Sequence, residues 1–481
     1  MKKQQETIER GNTKLAVKAG FWYVASSFLI KALAFITTPI FARLMTKSAY
    51  GEFSNYASWQ STLLILTGAE LYSTLNPAYY DHKDNFDGYV SSVTLSGIFL
   101  NLAFYIFFLL NQNWIFKFVS IPPQYIHVLF FTMMCSSCRS VFLARERTLY
   151  KYKSVAVISM VNIVVPTLVS VALVLLAPEA DRLSARIYGF YVPSAIIGLG
   201  CGAAMLLRGR SFKFSQCKYA FKLALPLMVN YLTAYLLTST NTILTKQILG
   251  AEETAVVSIA TSVTHILVIL FQATTGALTT WIMDNLEMKQ EARVRKGLLV
   301  YLGIIAVISG GVILLAPEVV WILGGKTYAA AKQLIPGLIF AIFIQNICSV
   351  FTIILTYDKN VVKTAVITAV VAAVNIGCKI LLLRLVGIQA LPLANVLAYM
   401  ILFFVNYLLV RKAGYGAFIQ FRHYLFLIIG LGVLMGVSFL LYECTPVRYG
   451  VVLLIAAAGI WLLIKNRAKI KAILKKHKTQ N

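Results

Sequence analysis

The sequence predicts an all-α polytopic membrane protein of about 14 transmembrane helices, and three observations carry that reading. Fourteen apolar stretches tile nearly the whole chain of 481 residues. Hydrophobic residues make up 59% of it and charged residues only 13%, too few polar groups to cover a water-facing surface. The connections between stretches are short and polar or basic, which leaves little chain for a soluble domain. A hydrocarbon core of about 30 Å takes about 20 apolar residues per helix, and a helix satisfies its own backbone where there is no water. The expected spans are 20–42, 54–76, 89–110, 124–144, 154–177, 187–207, 222–245, 255–282, 298–323, 334–357, 364–383, 388–410, 424–442 and 449–465.

The start, MKKQQETIERGNTKLAVKAG, is polar for too long to be a signal peptide and lacks a small-residue cleavage site. Span one then carries Lys31 near its middle, on a stripe with Ser27, Ala34 and Thr38. Span two brings Gln60, Thr67 and Glu70, and span four brings Arg139 and Thr132. Cys135-Ser-Ser-Cys138 has the spacing of a redox or zinc motif. It stands in an apolar helix with no second pair, which favours membrane packing. Prolines 39, 166, 193, 226, 336 and 392 fall within or near the ends of spans, where each removes a backbone hydrogen bond and can kink a helix. Asn230 and Asn241 share a face of span seven; span eight carries Thr261, His265, Gln272, Thr275 and Thr279; span eleven carries Thr368, Ala372, Asn375 and Lys379. The basic connection 208–222 divides the first twelve spans into six plus six. The predicted organisation is therefore an N-terminal lobe 1–210, a C-terminal lobe 211–415, and a C-terminal appendage of two helices and a basic tail, 416–481. A weak internal echo, RLMTKSAYGEFSNYA at 43–57 against QILGAEETAVVSIAT at 247–261, fits the division.

The formal charge of +26 comes from 44 Lys+Arg against 18 Asp+Glu. In a soluble chain this would suggest nucleic acid, but here the placement speaks for topology, because cytoplasmic loops carry the basic excess. With the N-terminus inside, the inside segments hold 31 basic residues and the outside segments 10, with three more within spans. Both termini are expected in the cytoplasm. The KIKAILKK tail is read as lying against anionic head groups or as solvated.

Charged residues inside spans are costly and mark pathways. Lys31, Arg139, Lys379, Asn375, Asn230, Asn241 and Gln272 are the candidate cavity lining, and Glu70 and His265 the candidate coupling groups. The plainer alternatives stay open: Arg139 and Lys379 can snorkel to the head groups, Glu70 can pair with Lys31 or Arg139, and the amides and hydroxyls can join helices. No catalytic or metal constellation and no phosphate-cradling Gly-rich loop is present, so no enzyme activity and no cofactor is expected; proton or sodium coupling is left open.

Three segments add a resemblance. PIFARLMTKSAYGEFS (39–54), YAFKLALPLMVNYL (219–232) and LAPEVVWILGGKTYAAAKQLIP (315–336) are similar in order and spacing to polysaccharide-unit flippases of the multidrug/oligosaccharidyl-lipid/polysaccharide superfamily, which serve O-antigen, capsule and exopolysaccharide synthesis. The resemblance implies two six-helix lobes in a V with two extra helices. It also implies a bacterial plasma-membrane location and export of undecaprenyl-pyrophosphate-linked oligosaccharides, with a polysaccharide polymerase and other assembly proteins as partners. One departure stands out: many members carry an acidic-basic pair near the end of helix seven, where this chain reads Thr240-Asn241-Thr242. A lipid II flippase, a drug or cation antiporter of the same fold, and a membrane glycosyltransferase or ligase are the rival readings.

Overall fold

The computed structural model describes residues 32–33, 35–358 and 361–465. Lys31 lies outside the described residues, as do Ser27, Ala34 and the basic tail. The described chain is helical throughout, and the expected spans fall on α1 (Phe35–Leu44), α2 (Lys47–Gly68), α3 (Phe86–Leu110), α4 (Ile126–Thr148), α5 (Tyr152–Leu176), α6 (Arg182–Gly209), α7 (Phe214–Leu249), α8 (Ala251–Glu287), α9 (Glu291–Leu314), α10 (Ala331–Tyr357), α11 (Val361–Val386), α12 (Ala390–Val410), α13 (Phe421–Leu441) and α14 (Thr445–Lys465). Among the described residues ten segments are long and apolar enough to cross a membrane, and one of them, Lys363–Phe418, holds both α11 and α12. Leu110, Leu176, Leu385 and Phe426 lie exposed on their helices, as expected where the solvent is itself hydrocarbon.

Two spans differ from expectation. The second, expected over 54–76, begins at Lys47 because the Thr46 side chain accepts a hydrogen bond from the Ala49 N–H at 3.2 Å. It ends at Gly68, where Ala69 and Glu70 both turn left-handed. The chain continues as a 3-10 turn, Leu71–Thr74, and a short helix, Leu75–Asp81. The ninth, expected as one helix over 298–323, breaks at Leu315, and Pro317 opens a second helix, Ala316–Gly324. α7 and α8 run 36 and 37 residues, each about 54 Å at about 1.5 Å per residue, so both outrun a bilayer core.

The described residues form two compact units that divide between Ala255 and Val256. Within the first, alternate connections gather at opposite ends. At one end Arg145 bonds Asp87 at 2.6 Å and Glu146 at 2.5 Å, with Arg208 at 3.6 Å from Glu146. At the other, Asn55 donates to the Ser120 carbonyl at 3.2 Å, Gln247 to the Phe118 carbonyl, Arg182 to the Leu44 carbonyl, and Lys246 pairs with Glu52. These contacts join connections that alternate along the chain, as a bundle of bilayer-length helices requires.

Tyr50-Gly51, part of the motif after span one, has a packing reason. A methyl group at Gly51 would overlap the Ala251 carbonyl oxygen at the start of α8. The Cys135/Cys138 seam is similar: Gly198 and Gly202 of α6 admit the Cys135 carbonyl and the Cys138 sulfur, the close approach that small residues allow in membranes. In the second unit α13 and α14 pack on α9. A Cβ at Gly310 would stand 2.8 Å from Leu434, the Tyr442 hydroxyl donates to the Ile313 carbonyl at 2.6 Å, and Arg448 pairs with Glu318.

Gly51→Ala is expected to lower stability by about 1–3 kcal/mol, the range for overpacking, read as a lower Tm of the purified protein. Gly276→Ala, whose Cβ meets nothing within 4 Å, should stay within about 0.5 kcal/mol.

Candidate functional site

The first unit holds a basic residue deep in its helices. Arg139 stands in the second half of α4, with Cys135 one turn before it, and turns inward. Its Nη1 donates to Asn162 Oδ1 of α5 at 2.9 Å and to Ser194 Oγ of α6 at 3.0 Å. Ser194 also donates to Asn162 Oδ1 at 2.9 Å, so three helices meet in one polar knot. Arg139 therefore does not snorkel, and it is not the partner of Glu70. Its partners are neutral, and no carboxylate among the described residues lies within ion-pair distance of it. Arg139 as a residue is of intermediate burial.

A second buried guanidinium, Arg186 of α6, was counted by the sequence as an outside-loop charge. It lies 3.4 Å from the Phe41 ring centroid and 4.4 Å from that of Phe53, and donates to Ser170 Oγ at 2.9 Å. The rings offer their negative faces to the cation, so Arg186 joins α1, α2 and α5 to α6. Because rings enclose it, it is a structural charge.

Glu70 stands at the break after α2, 7% exposed, beside Tyr72. Asn241 of α7 is buried, and its Oδ1 accepts no hydrogen bond from the described residues. Asn230 lies on α7, its side chain outside the described set. In the second unit His265 and Gln272 are exposed on α8. Asn375 of α11 is 1% exposed and donates to the Ala394 carbonyl at 3.0 Å and to Asn395 Oδ1 at 3.2 Å, which ties α11 to α12. Lys379, one turn on, is fully enclosed; it neither reaches head groups nor opens on a cavity in this conformation.

Sequence reasoning brought forward Arg139 and Glu70 but missed Asn162, Ser194, Arg186 and the Glu52–Lys246 pair. Asn162 and Ser194 are single polar residues in apolar runs. Lys246 sits a little over one turn past Asn241, so α7 does end with a basic residue, paired to an acid on α2 instead of one on its own helix.

The family model of polysaccharide biosynthesis proteins matches residues 16–282. No curated protein sequence matches the chain. Among solved structures, a lipid II flippase, MurJ, in an inward closed conformation, is similar at a TM-score of 0.66 and 13% identity, covering 93% of this chain and 99% of its own. An inward-facing multidrug transporter of the MATE family follows at 0.58 and 13%, covering 80% and 95%. The outward-facing conformation of such a transporter gives 0.54 and 12%, covering 85% and 96%. At these identities the likeness establishes the fold alone, one shared with the lipid II flippase and the MATE transporters.

In a double-mutant cycle, Arg139→Ala and Asn162→Ala should each destabilise by about 1–3 kcal/mol and couple by about 1 kcal/mol. A coupling near zero in thermal unfolding of the purified protein would place Arg139 elsewhere.

Proposed function

The chain belongs to the polysaccharide biosynthesis protein family, and from that membership we propose that it is a flippase and not an enzyme. Its cargo is an undecaprenyl-pyrophosphate-linked oligosaccharide repeat unit, carried from the cytoplasmic to the outer leaflet of the bacterial plasma membrane by alternating access. Both termini lie in the cytoplasm, and a polysaccharide polymerase receives the product. The observation that carries the reading is Arg139: a guanidinium within the membrane-spanning helices, held by neutral groups and therefore keeping an unbalanced positive charge. A polyprenyl pyrophosphate must bring a dense anion across a medium where isolated charge is prohibitive, and an arginine gives it a permanent, forked counter-charge. An antiporter of cationic drugs would need unbalanced carboxylates in that place. The sugars would be met by amides and hydroxyls such as Asn241, and Lys31 is proposed as a second contact for the pyrophosphate or an acidic sugar. Lys379 and Asn375 are assigned no direct contact in this conformation, since both are enclosed.

Deletion of the gene should abolish surface polysaccharide and leave lipid-linked repeat units on the cytoplasmic leaflet. Complementation with Lys31→Ala or Arg139→Ala, each expressed to the parental level, should restore at least tenfold less polymer. Normal polymer with unchanged lipid-linked pools would sink the flippase reading, and arrest of cell-wall synthesis would redirect it to peptidoglycan precursors.

A further inference from the structure

The connection between α6 and α7 is short, basic and pinned. Residues 210–213 separate Gly209 from Phe214, and they lie along the first turns of α3. The Lys213 N–H donates to Ser92 Oγ of α3 at 3.1 Å, and Ser92 Oγ lies 2.8 Å from Gln216 Oε1 of α7. Ser92 is fully enclosed. A Cβ at Gly209 would overlap the Asp87 carbonyl oxygen, so the end of α6 is pressed against the start of α3. Arg210 turns left-handed, with φ of 43°, a conformation that costs a residue with a side chain and is kept where the surroundings enforce it.

Two phenylalanines and four cations stand out from this pinned chain. Phe212 is 51% exposed and Phe214 77%. The Phe212 ring meets Phe99 of α3 edge-on, with centroids 6.2 Å apart. Phe99 opens an exposed stripe that continues through Leu102, Ile106 and Leu110, and an all-apolar exposed stripe on a spanning helix faces hydrocarbon. Phe212 therefore dips along α3 into the hydrocarbon, and the residues beside it lie at the membrane edge. Arg210 and Lys213 flank it. Phe214, Lys218 and Lys222 follow at intervals of four and are all exposed, which sets them on one face of α7. Lys213 and Lys222 are about 14 Å apart along the helix at about 1.5 Å per residue, so the four cations crowd a small area. No carboxylate among the described residues lies within ion-pair distance of them. Asp87 and Glu146 are taken by Arg145, and Asp81 accepts from the Tyr219 hydroxyl.

We propose that this connection is a docking site for an anionic phospholipid. Its phosphate is met by Arg210, Lys213, Lys218 and Lys222, and its acyl chain lies against Phe212 and Phe99. Exposed rings call for an apolar neighbour and unpaired cations for a dense anion; an anionic phospholipid supplies both at one depth of the membrane. Basic pockets beside spanning helices recognise head groups in this way, and rings beside cations mark chain that lies in the interface. A soluble anion would meet the charges and leave the two rings bare. The site does not rest on the flippase reading.

The test is thermal unfolding of the full-length protein in detergent, titrated with phosphatidylglycerol or phosphatidylcholine, with bound lipid counted by native mass spectrometry. A ligand that binds only the folded state raises Tm in a saturable way. Phosphatidylglycerol should do so, and phosphatidylcholine should be at least tenfold weaker. The double variant Arg210→Gln/Lys213→Gln should weaken phosphatidylglycerol at least tenfold and leave the lipid-free Tm in place, because both side chains are exposed. Lys218→Gln/Lys222→Gln should act alike and decides the matter if the first pair does not fold. Phe212→Ser keeps every charge and should also weaken the lipid, whereas Lys326→Gln, at an exposed lysine of the second unit, should leave it unchanged. Equal response to the two lipids, variants that bind as the wild type does, or an equal loss in Lys326→Gln would overturn the site. Glycerol phosphate as effective as phosphatidylglycerol would reduce it to a site for the anion alone and overturn the lipid. Polyglutamate bound as tightly would replace the lipid by a soluble acidic partner.

Discussion

Hydrocarbon offers no water, so every polar group carried into the membrane must find its partner within the protein. The polar groups of this chain follow from that constraint. Many hydroxyls meet it locally: Thr94, Thr261 and Thr279 each bond the carbonyl four residues back at 2.8 Å. Such back-bonding costs the helix little and needs no neighbour. The threonine stripes of α8 are therefore not in themselves evidence of a cavity, since most of their hydroxyls are already occupied.

Charges cannot be met so cheaply, and the first unit treats them in two ways. At one end of the bundle Arg145, Glu146, Asp87 and Arg208 alternate in sign, and the buried pair Arg145–Glu146 has water-exposed partners at its margin. Breaking such a pair by removing one member costs about 3–5 kcal/mol, since the other stays buried alone. Arg139 and Arg186 are treated differently, for neither has an acid beside it. Arg186 is spread over aromatic faces and has become part of the joint between helices. Arg139 is held by the dipoles of Asn162 and Ser194, which fix its position without cancelling its charge.

The fold class and nearly every helix were legible because a bilayer-length apolar run admits one structure. The alternation of the connections was legible too, since successive bilayer-length helices return the chain to opposite ends. The breaks were not. Ala69 and Glu70 are good helix formers, with no glycine or proline at those two positions to announce a turn; only the packing around them enforces it. The Arg139 knot was half legible: a charge in an apolar run is conspicuous, but its acceptors come from two other helices, and helix-to-helix pairing leaves no period in a single sequence. Lys379 shows the converse. Its stripe with Asn375 and Thr368 suggested an open face, yet Asn375 spends its amide on α12 and the lysine is enclosed beside it.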